Sequence, residues 1–202
     1  MANNIEVILF DLGGVLVELS GVPTLLSWSG ETITPEKLWQ RWLTSTAVRE
    51  FETGRTRQDH FARQLIDEMS LRIDPDEFLA SFTHWPRGMY PGAQELLSRI
   101  PPDYTLAVLS NSNSLHWPRM LDEIGVAGMF EHLFASHLIG KLKPDVEVFE
   151  HVLTELDCSP AGVLYVDDNQ RNVDVARSLG IRAEVTQGIA AVEKVLSQYH
   201  II

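Results

Sequence analysis

Asp11, Ser110, Asn111, Lys143, Asp167 and Asp168 are the polar residues whose types and placement suggest chemistry. A carboxylate is ionised at neutral pH without help, so Asp11 can attack phosphorus and carry a phosphoryl group as an aspartyl-phosphate. Asp11, Asp168 and the main-chain carbonyl of Gly13 offer only oxygen donors, with Asp167 in or beside the same shell. Mg2+ suits such a set, because it keeps several waters and accepts a few carboxylates together with phosphate oxygens. Three crowded carboxylates repel one another, and a metal cation together with the Lys143 ammonium lets all of them stay charged. Lys143 also holds phosphoryl oxygens in this reading, while the Ser110 hydroxyl and the Asn111 amide donate to them as charge builds. Taken singly, each residue has a plainer use: an aspartate after a strand often caps a turn or helix, and Lys143-Pro144 can open a surface helix. Their joint occurrence, in order and each at or beside a strand end, singles them out.

Those strand ends come from apolar runs. Ile5-Glu6-Val7-Ile8-Leu9-Phe10 closes on Asp11-Leu12-Gly13-Gly14, and similar runs recur at Thr105–Leu109 and Val163–Val166. Such runs read as strands buried on both faces of a parallel sheet. Shorter strands are expected at His132–Ala135 and Ile181–Val185. Helical patterns separate them, near Ala93–Arg99, Leu115–Ile124, Val146–Leu156, Asn172–Leu179 and Ala190–Tyr199. The alternation predicts an α/β fold with a Rossmann-like, doubly wound parallel sheet, whose ligands bind beyond the carboxyl ends of the strands. From Val17 to Met89 the pattern changes to Trp, Leu, Glu and Arg at helical spacing, with helix starts at Thr34-Pro35 and Asp74-Pro75 and no convincing strand. This predicts a helical cap, residues 17–89, inserted after the first strand of a core made of residues 1–16 and 90–202.

The bulk composition narrows the partners. Sixteen Lys and Arg against twenty-eight Asp and Glu give a net charge of -12. That field repels nucleic acid and anionic membrane surfaces, so neither is expected as a partner, and any phosphate site must be neutralised locally. Cys158 is the only cysteine, which excludes an internal disulfide and fits a reducing cytoplasm. The N-terminus shows no basic leader or cleavage site, and its apolar run is too short to cross a bilayer. The expected partner is a small phosphorylated metabolite, acting on a monomer or homodimer.

The same residues carry a family likeness. Phe10-Asp11-Leu12-Gly13-Gly14-Val15-Leu16, Leu109-Ser110-Asn111, Lys143-Pro144-Asp145 and Tyr165-Val166-Asp167-Asp168 resemble, in order, the four motifs of the haloacid dehalogenase superfamily. The likeness spans essentially the whole chain, since Tyr90-Pro91-Gly92 resembles the point where a helical cap rejoins the core. It implies a mobile cap and magnesium-dependent phosphoryl transfer through Asp11, with Gly14 among the substrate-binding residues. The chain looks most like the phosphatases typified by α-glucose-1-phosphatase and the N-terminal domain of soluble epoxide hydrolase. One departure stands out. Most phosphatases of the family carry an acid/base aspartate two positions after the nucleophile, where this chain has Gly13. Acid–base help is worth about a hundred- to ten-thousand-fold, so its loss favours substrates that leave easily, such as a sugar 1-phosphate.

In the cap, Phe51-Glu52-Thr53-Gly54-Arg55 resembles the turn that faces the active site, and Arg49 or Arg55 can meet an anionic substrate group. Gly54 can equally be a helix C-cap with solvated charges around it. Trp28, Trp39, Trp42 and Trp85 fit core packing of a small helical unit, with a sugar-stacking wall or dimer face as the sharper alternative. Two rival functions remain open. A 2-haloacid dehalogenase also lacks the second aspartate, but its fourth motif usually has serine and asparagine where this chain has Asp167-Asp168. An inactive binding or regulatory module of the same fold has only Gly13 in its favour.

Overall fold

The computed structural model describes residues 5–202; the first four residues of the expected core lie outside it. In chain order the strands are β1 (Val7–Phe10), β2 (Val17–Leu19), β3 (Pro86–Met89), β4 (Thr105–Ser110), β5 (His132–Ala135), β6 (Val163–Asp167) and β7 (Arg182–Val185). Helices α1 (Gly21–Trp28), α2 (Pro35–Thr44), α3 (Thr46–Glu52), α4 (Gln58–Met69) and α5 (Pro75–Phe82) fall between β2 and β3. They are followed by α6 (Ala93–Ser98), α7 (His116–Pro118, continued by a π turn Arg119–Glu123), α8 (Ser136–Ile139), α9 (Val146–Glu155), α10 (Gln170–Ser178) and α11 (Gly188–Gln198). No helix among the described residues is long and apolar enough to cross a membrane.

All five expected sheet strands are present, paired in parallel in the order β5-β4-β1-β6-β7. β1 is fully buried because it is central and covered on both sides. Its alternate residues enter two different cores. Ile8 and Phe10 pack with Leu96, Trp117 and Leu196 from α6, α7 and α11, whereas Val7 and Leu9 pack with Phe149 and Val173 from α9 and α10. The result is a three-layer, doubly wound sheet. Chain order reverses between β1 and β6, so the crevice past their carboxyl ends is the place where such sheets bind ligands.

The helical insertion has a third core of its own, centred on Phe51, Phe61, Phe78 and Phe82. Phe51 stacks on Phe61 at 4.2 Å between ring centroids. Trp42 and Trp85 are buried in this core, Trp28 packs edge-on to Phe78, and Trp39 stands exposed. Thr34 and Asp74 cap α2 and α5 as their sequence context predicts, each accepting from a first-turn N–H.

One expectation needs correction. The stretch 17–89 does not hold helices alone, because β2 and β3 at its two ends pair antiparallel, with Val17 opposite Met89. Three or four residues are too few to show a period-two pattern, and Pro86 and Gly88 in β3 argue against a strand when read alone. The pairing means that both chain crossings into the insertion run as one ribbon.

Candidate active site

Register sets the site. Phe10 pairs with Val108 on one side and Val166 on the other, so Asp11 emerges level with the ends of both neighbours. Its backbone N–H donates to the Val166 carbonyl at 2.9 Å. Lys143 reaches in from the loop between α8 and α9. Its Nζ lies 2.9 Å from Asp11 Oδ1, 2.8 Å from Asp167 Oδ2 and 2.9 Å from the Leu109 carbonyl. Only 3% of Lys143 is exposed. Burial alone would lower its pKa, but the two carboxylates outweigh that and hold the ammonium protonated well above the ordinary range.

The carboxylates have different environments. Asp167 is sealed: its oxygens accept from Lys143, from the Tyr165 hydroxyl, from the Asn169 N–H at 2.7 Å and from Asn172 Nδ2 at 3.0 Å. Burial pushes its pKa up, yet Lys143 and these donors win and leave it below the usual carboxylate value. Asp11 has less support. Leu12 N at 2.7 Å and Lys143 Nζ both bond to Oδ1, leaving Oδ2 without a hydrogen bond among the described residues. Burial lifts its pKa to about 7, opposed by Lys143 and reinforced by Asp167 and Asp168. Asp168 is exposed, but partial desolvation and the Asp167 charge still raise its pKa to about 6.

Oxygen atoms of Asp11, Asp167 and Asp168 lie within 4.8 Å of one another. Three carboxylates around one ammonium leave an excess of negative charge, which fits a divalent cation. Gly13 completes the oxygen set, since its carbonyl accepts no hydrogen bond among the described residues. Gly14 is needed for close approach: it has φ +73°, and a Cβ there would lie 2.2 Å from Asp168 Oδ2.

Other expected site residues are placed differently. Ser110 is buried at the carboxyl end of β4, the same end of the parallel sheet as Asp11. Asn111 was expected to donate to phosphoryl oxygens. Instead its amide bonds at both ends to the Lys143 backbone, Nδ2 to the carbonyl and Oδ1 from the N–H, each at 2.9 Å. It therefore fixes the loop that aims Lys143. Arg49, expected to meet substrate, forms an ion pair with Asp145 and so ties α3 to the start of α9. Arg55 is exposed beyond the turn. Gly54 is more than a helix stop: with φ +71°, it brings the turn so close to α8 that a Cβ would meet the His137 carbonyl at 2.5 Å. Asn169 caps α10 by accepting from Arg171 N, so the plain capping role falls to it and not to Asp167 or Asp168.

Sequence reading missed Tyr165 and Asn172, the neutral donors that saturate Asp167, and Ser136, which exchanges two hydrogen bonds with the Ser112 backbone. Tyr165 carried a usable signal, as a polar atom inside an otherwise apolar strand. Sequence reading singled out the turn from Phe51 to Arg55 but gave the contact to Arg49 or Arg55 and no role to Glu52, the last residue of α3. Glu52 borders a cavity of about 140 Å³ between insertion and sheet, together with Trp42, Val48, Leu142, Lys143 and Asn172. A larger open hollow of about 600 Å³ beside β3 and α6 touches none of the site residues.

The comparisons with known proteins agree with this geometry. The family model of haloacid dehalogenase-like hydrolases matches residues 5–180. The chain is similar to a sesquiterpene phosphatase of Aspergillus oryzae, 28% identical over 186 residues, covering 90% of this chain and 89% of the relative. It is also similar to a D-ribitol-5-phosphate phosphatase of Bacteroides thetaiotaomicron, 23% identical over 87% of this chain and 89% of that one. A haloacid dehalogenase family enzyme from the same bacterium, solved with magnesium and inorganic phosphate, shares the fold with a TM-score of 0.72 at 22% identity, over 91% of this chain and 94% of that one. An L-2-haloacid dehalogenase from Xanthobacter autotrophicus also shares it, with a TM-score of 0.65 at 20% identity over 98% of this chain and 84% of the other. The chain belongs to the haloacid dehalogenase-like hydrolases.

Proposed function

We propose that the chain is a magnesium-dependent phosphate-monoester hydrolase that works through an aspartyl-phosphate on Asp11. Its substrate is a small phosphorylated metabolite, with sugar 1-phosphates inside that class. In this reading residues 17–89 are the cap and residues 1–16 with 90–202 the core. The observation that carries the proposal is the charge balance at the strand ends: three carboxylates gathered around the single buried ammonium of Lys143. A dehalogenase attacking carbon has no use for that excess of negative charge, and adjacent acids would hinder a nucleophile unless a cation offset them.

Asp11, Asp168 and the Gly13 carbonyl would hold the metal, with Asp167 behind them. Hydrogen bonds already occupy the Asp167 oxygens, so it acts by fixing Lys143. Bound magnesium supplies positive charge that offsets the carboxylates and polarises a phosphoryl oxygen. Lys143 and Leu12 N hold Asp11 Oδ1, which leaves Oδ2 free to approach phosphorus. Ser110, buried at the end of the neighbouring strand, would donate its hydroxyl to an equatorial oxygen as charge builds. The relatives' names span a terpenoid phosphate and a sugar-alcohol phosphate, so leaving-group selection falls to the cap and not to the shared strand ends. The cavity wall agrees, since it mixes Trp42, Val48 and Leu142 with Glu52 and Asn172.

The test is phosphate release from p-nitrophenyl phosphate and α-glucose 1-phosphate, with magnesium or with EDTA. Magnesium-dependent release that disappears in Asp11→Asn supports the proposal. No release from these or from a broad phosphate panel overturns it.

A further inference from the structure

Turnover through an aspartyl-phosphate moves protons twice. An alkoxide leaving group needs one as its bond to phosphorus breaks, and the attacking water must lose one when the aspartyl-phosphate is hydrolysed. The residues around Asp11 leave few groups for that work. Asp167 is sealed by four donor groups, and Lys143 is held protonated between two carboxylates. Asp168 belongs to the cation set. Position 13 has no side chain, and a Cβ placed there would lie 2.7 Å from Leu19 Cδ1, so an apolar group fills the space above it.

We propose that Glu52, brought to the site by the insertion, is the acid–base carboxyl that serves both proton transfers. The proposal rests on the phosphatase reading above. Its geometric basis is the docking of α3. The Gly54 turn sits against the His137 carbonyl, and the Arg49–Asp145 ion pair one turn earlier fixes the same helix to the sheet domain. Between these two fastenings Glu52 borders the cavity that Lys143 and Asn172 share. Its carboxyl makes no hydrogen bond or ion pair among the described residues, so it is available to a bound ester.

The charges facing it are Lys143 and Asp11 from the sheet domain, Arg171 from α10 and Arg49 on its own helix. Burial raises its pKa to about 8, with Lys143 opposing and Asp11 adding to the rise, so the group is protonated at neutral pH as an acid must be. In the first step the Asp11–phosphorus bond forms, the ester P–O bond breaks, and the Glu52 proton passes to the departing oxygen. In the second, the Glu52 carboxylate takes a proton from water, the water oxygen bonds to phosphorus, and the Asp11–phosphorus bond breaks. The enzyme returns to its starting protonation state. With this acid present, the preference for easily departing groups expected from Gly13 should appear only when Glu52 is replaced.

The experiment compares wild type, Glu52→Gln and Glu52→Asp on an alkyl phosphate and on p-nitrophenyl phosphate, with pre-steady-state sampling. Nitrophenolate leaves without a proton, but hydrolysis of the aspartyl-phosphate still needs the base. Glu52→Gln should therefore lose about a hundred- to ten-thousand-fold in kcat/KM on the alkyl ester. On p-nitrophenyl phosphate it should release a stoichiometric burst of nitrophenolate followed by slow turnover. Glu52→Asp should recover part of the alkyl rate. If Glu52→Gln does not fold, Glu52→Asp decides: an alkyl rate depressed far more than the nitrophenyl burst supports the proposal. Equal loss on both esters without a burst, or an alkyl rate within about threefold of wild type, overturns it. Failure of wild type on every phosphate instead removes the phosphatase reading itself.

Discussion

The strand ends and the tip of the insertion meet at one site but are built in opposite ways. At the strand ends, charge is locked in. Lys143, Asp11 and Asp167 are nearly solvent-free and joined by contacts of 2.8 to 2.9 Å, and Tyr165, Asn172 and Asn111 hold the participants in place. At the tip, α3 is fastened by a half-exposed ion pair and a close glycine turn, and Glu52 has no fixed partner. A group that must hold charge throughout the reaction is best placed in the rigid part, where reorganisation costs least. A group that must give up and regain a proton, or admit different leaving groups, fits the part that docks by weaker contacts.

The comparison can be broken at several points. The largest effect should come from Asp11→Asn, which removes the nucleophile and should lower phosphate release by on the order of 10⁴-fold or more, read in a steady-state assay. Lys143→Met should follow. It leaves Asp11 and Asp167 without their shared counter-charge and should cost about 3–5 kcal/mol in urea unfolding, beyond its loss of activity.

His116 probes the seam between the two regions. Its Nε2–H donates to the Phe82 carbonyl at 2.7 Å, and its ring lies 4.2 Å from the Phe82 ring, so it joins α7 to the end of α5. Burial lowers its pKa to about 4. The unfolded chain protonates this histidine near pH 6.5 and the folded one only near 4, so the unfolded state binds more protons between those values. Its stabilising effect is full above pH 6.5 and is lost as pH falls through 4. The stability advantage of wild type over His116→Gln should therefore shrink by about 3 kcal/mol on acidification across that window, measured by unfolding at each pH. Arg49→Ala should have the smallest effect, under about 1 kcal/mol in the same unfolding assay, because the Arg49–Asp145 pair is half-exposed and solvent screens it. A loss as large as that of Lys143→Met would erase the contrast between the two regions.

The two regions were also unequally legible in the sequence. The apolar run before Asp11 and the matching runs before Ser110 and Asp167 fix a parallel sheet, and a parallel sheet fixes where its strand-end polar groups converge. Chemistry at strand ends is local in sequence, so it could be read. Asn111 and Arg49 suit phosphate by type and both line the cavity beside Lys143, but each also bonds within the protein, to the Lys143 backbone and to Asp145. Nothing local announces such long-range partners. Glu52 lies in the very turn whose sequence resembles an active-site-facing one, but the cations beside it suit phosphate better by type, and its place beside Lys143 follows only from the docking of α3 onto α8. The β2–β3 ribbon was missed for a simpler reason, being too short to show a strand period.

Acid-quench trapping tests the central claim most directly. Wild type mixed with p-nitrophenyl phosphate and magnesium, stopped in acid and digested, should yield a phosphoryl adduct on the peptide containing Asp11. That adduct should be absent from Asp11→Asn and should decay at the rate of phosphate release. Turnover with no adduct, or with the phosphoryl group on another residue, would contradict the assignment of Asp11 as nucleophile.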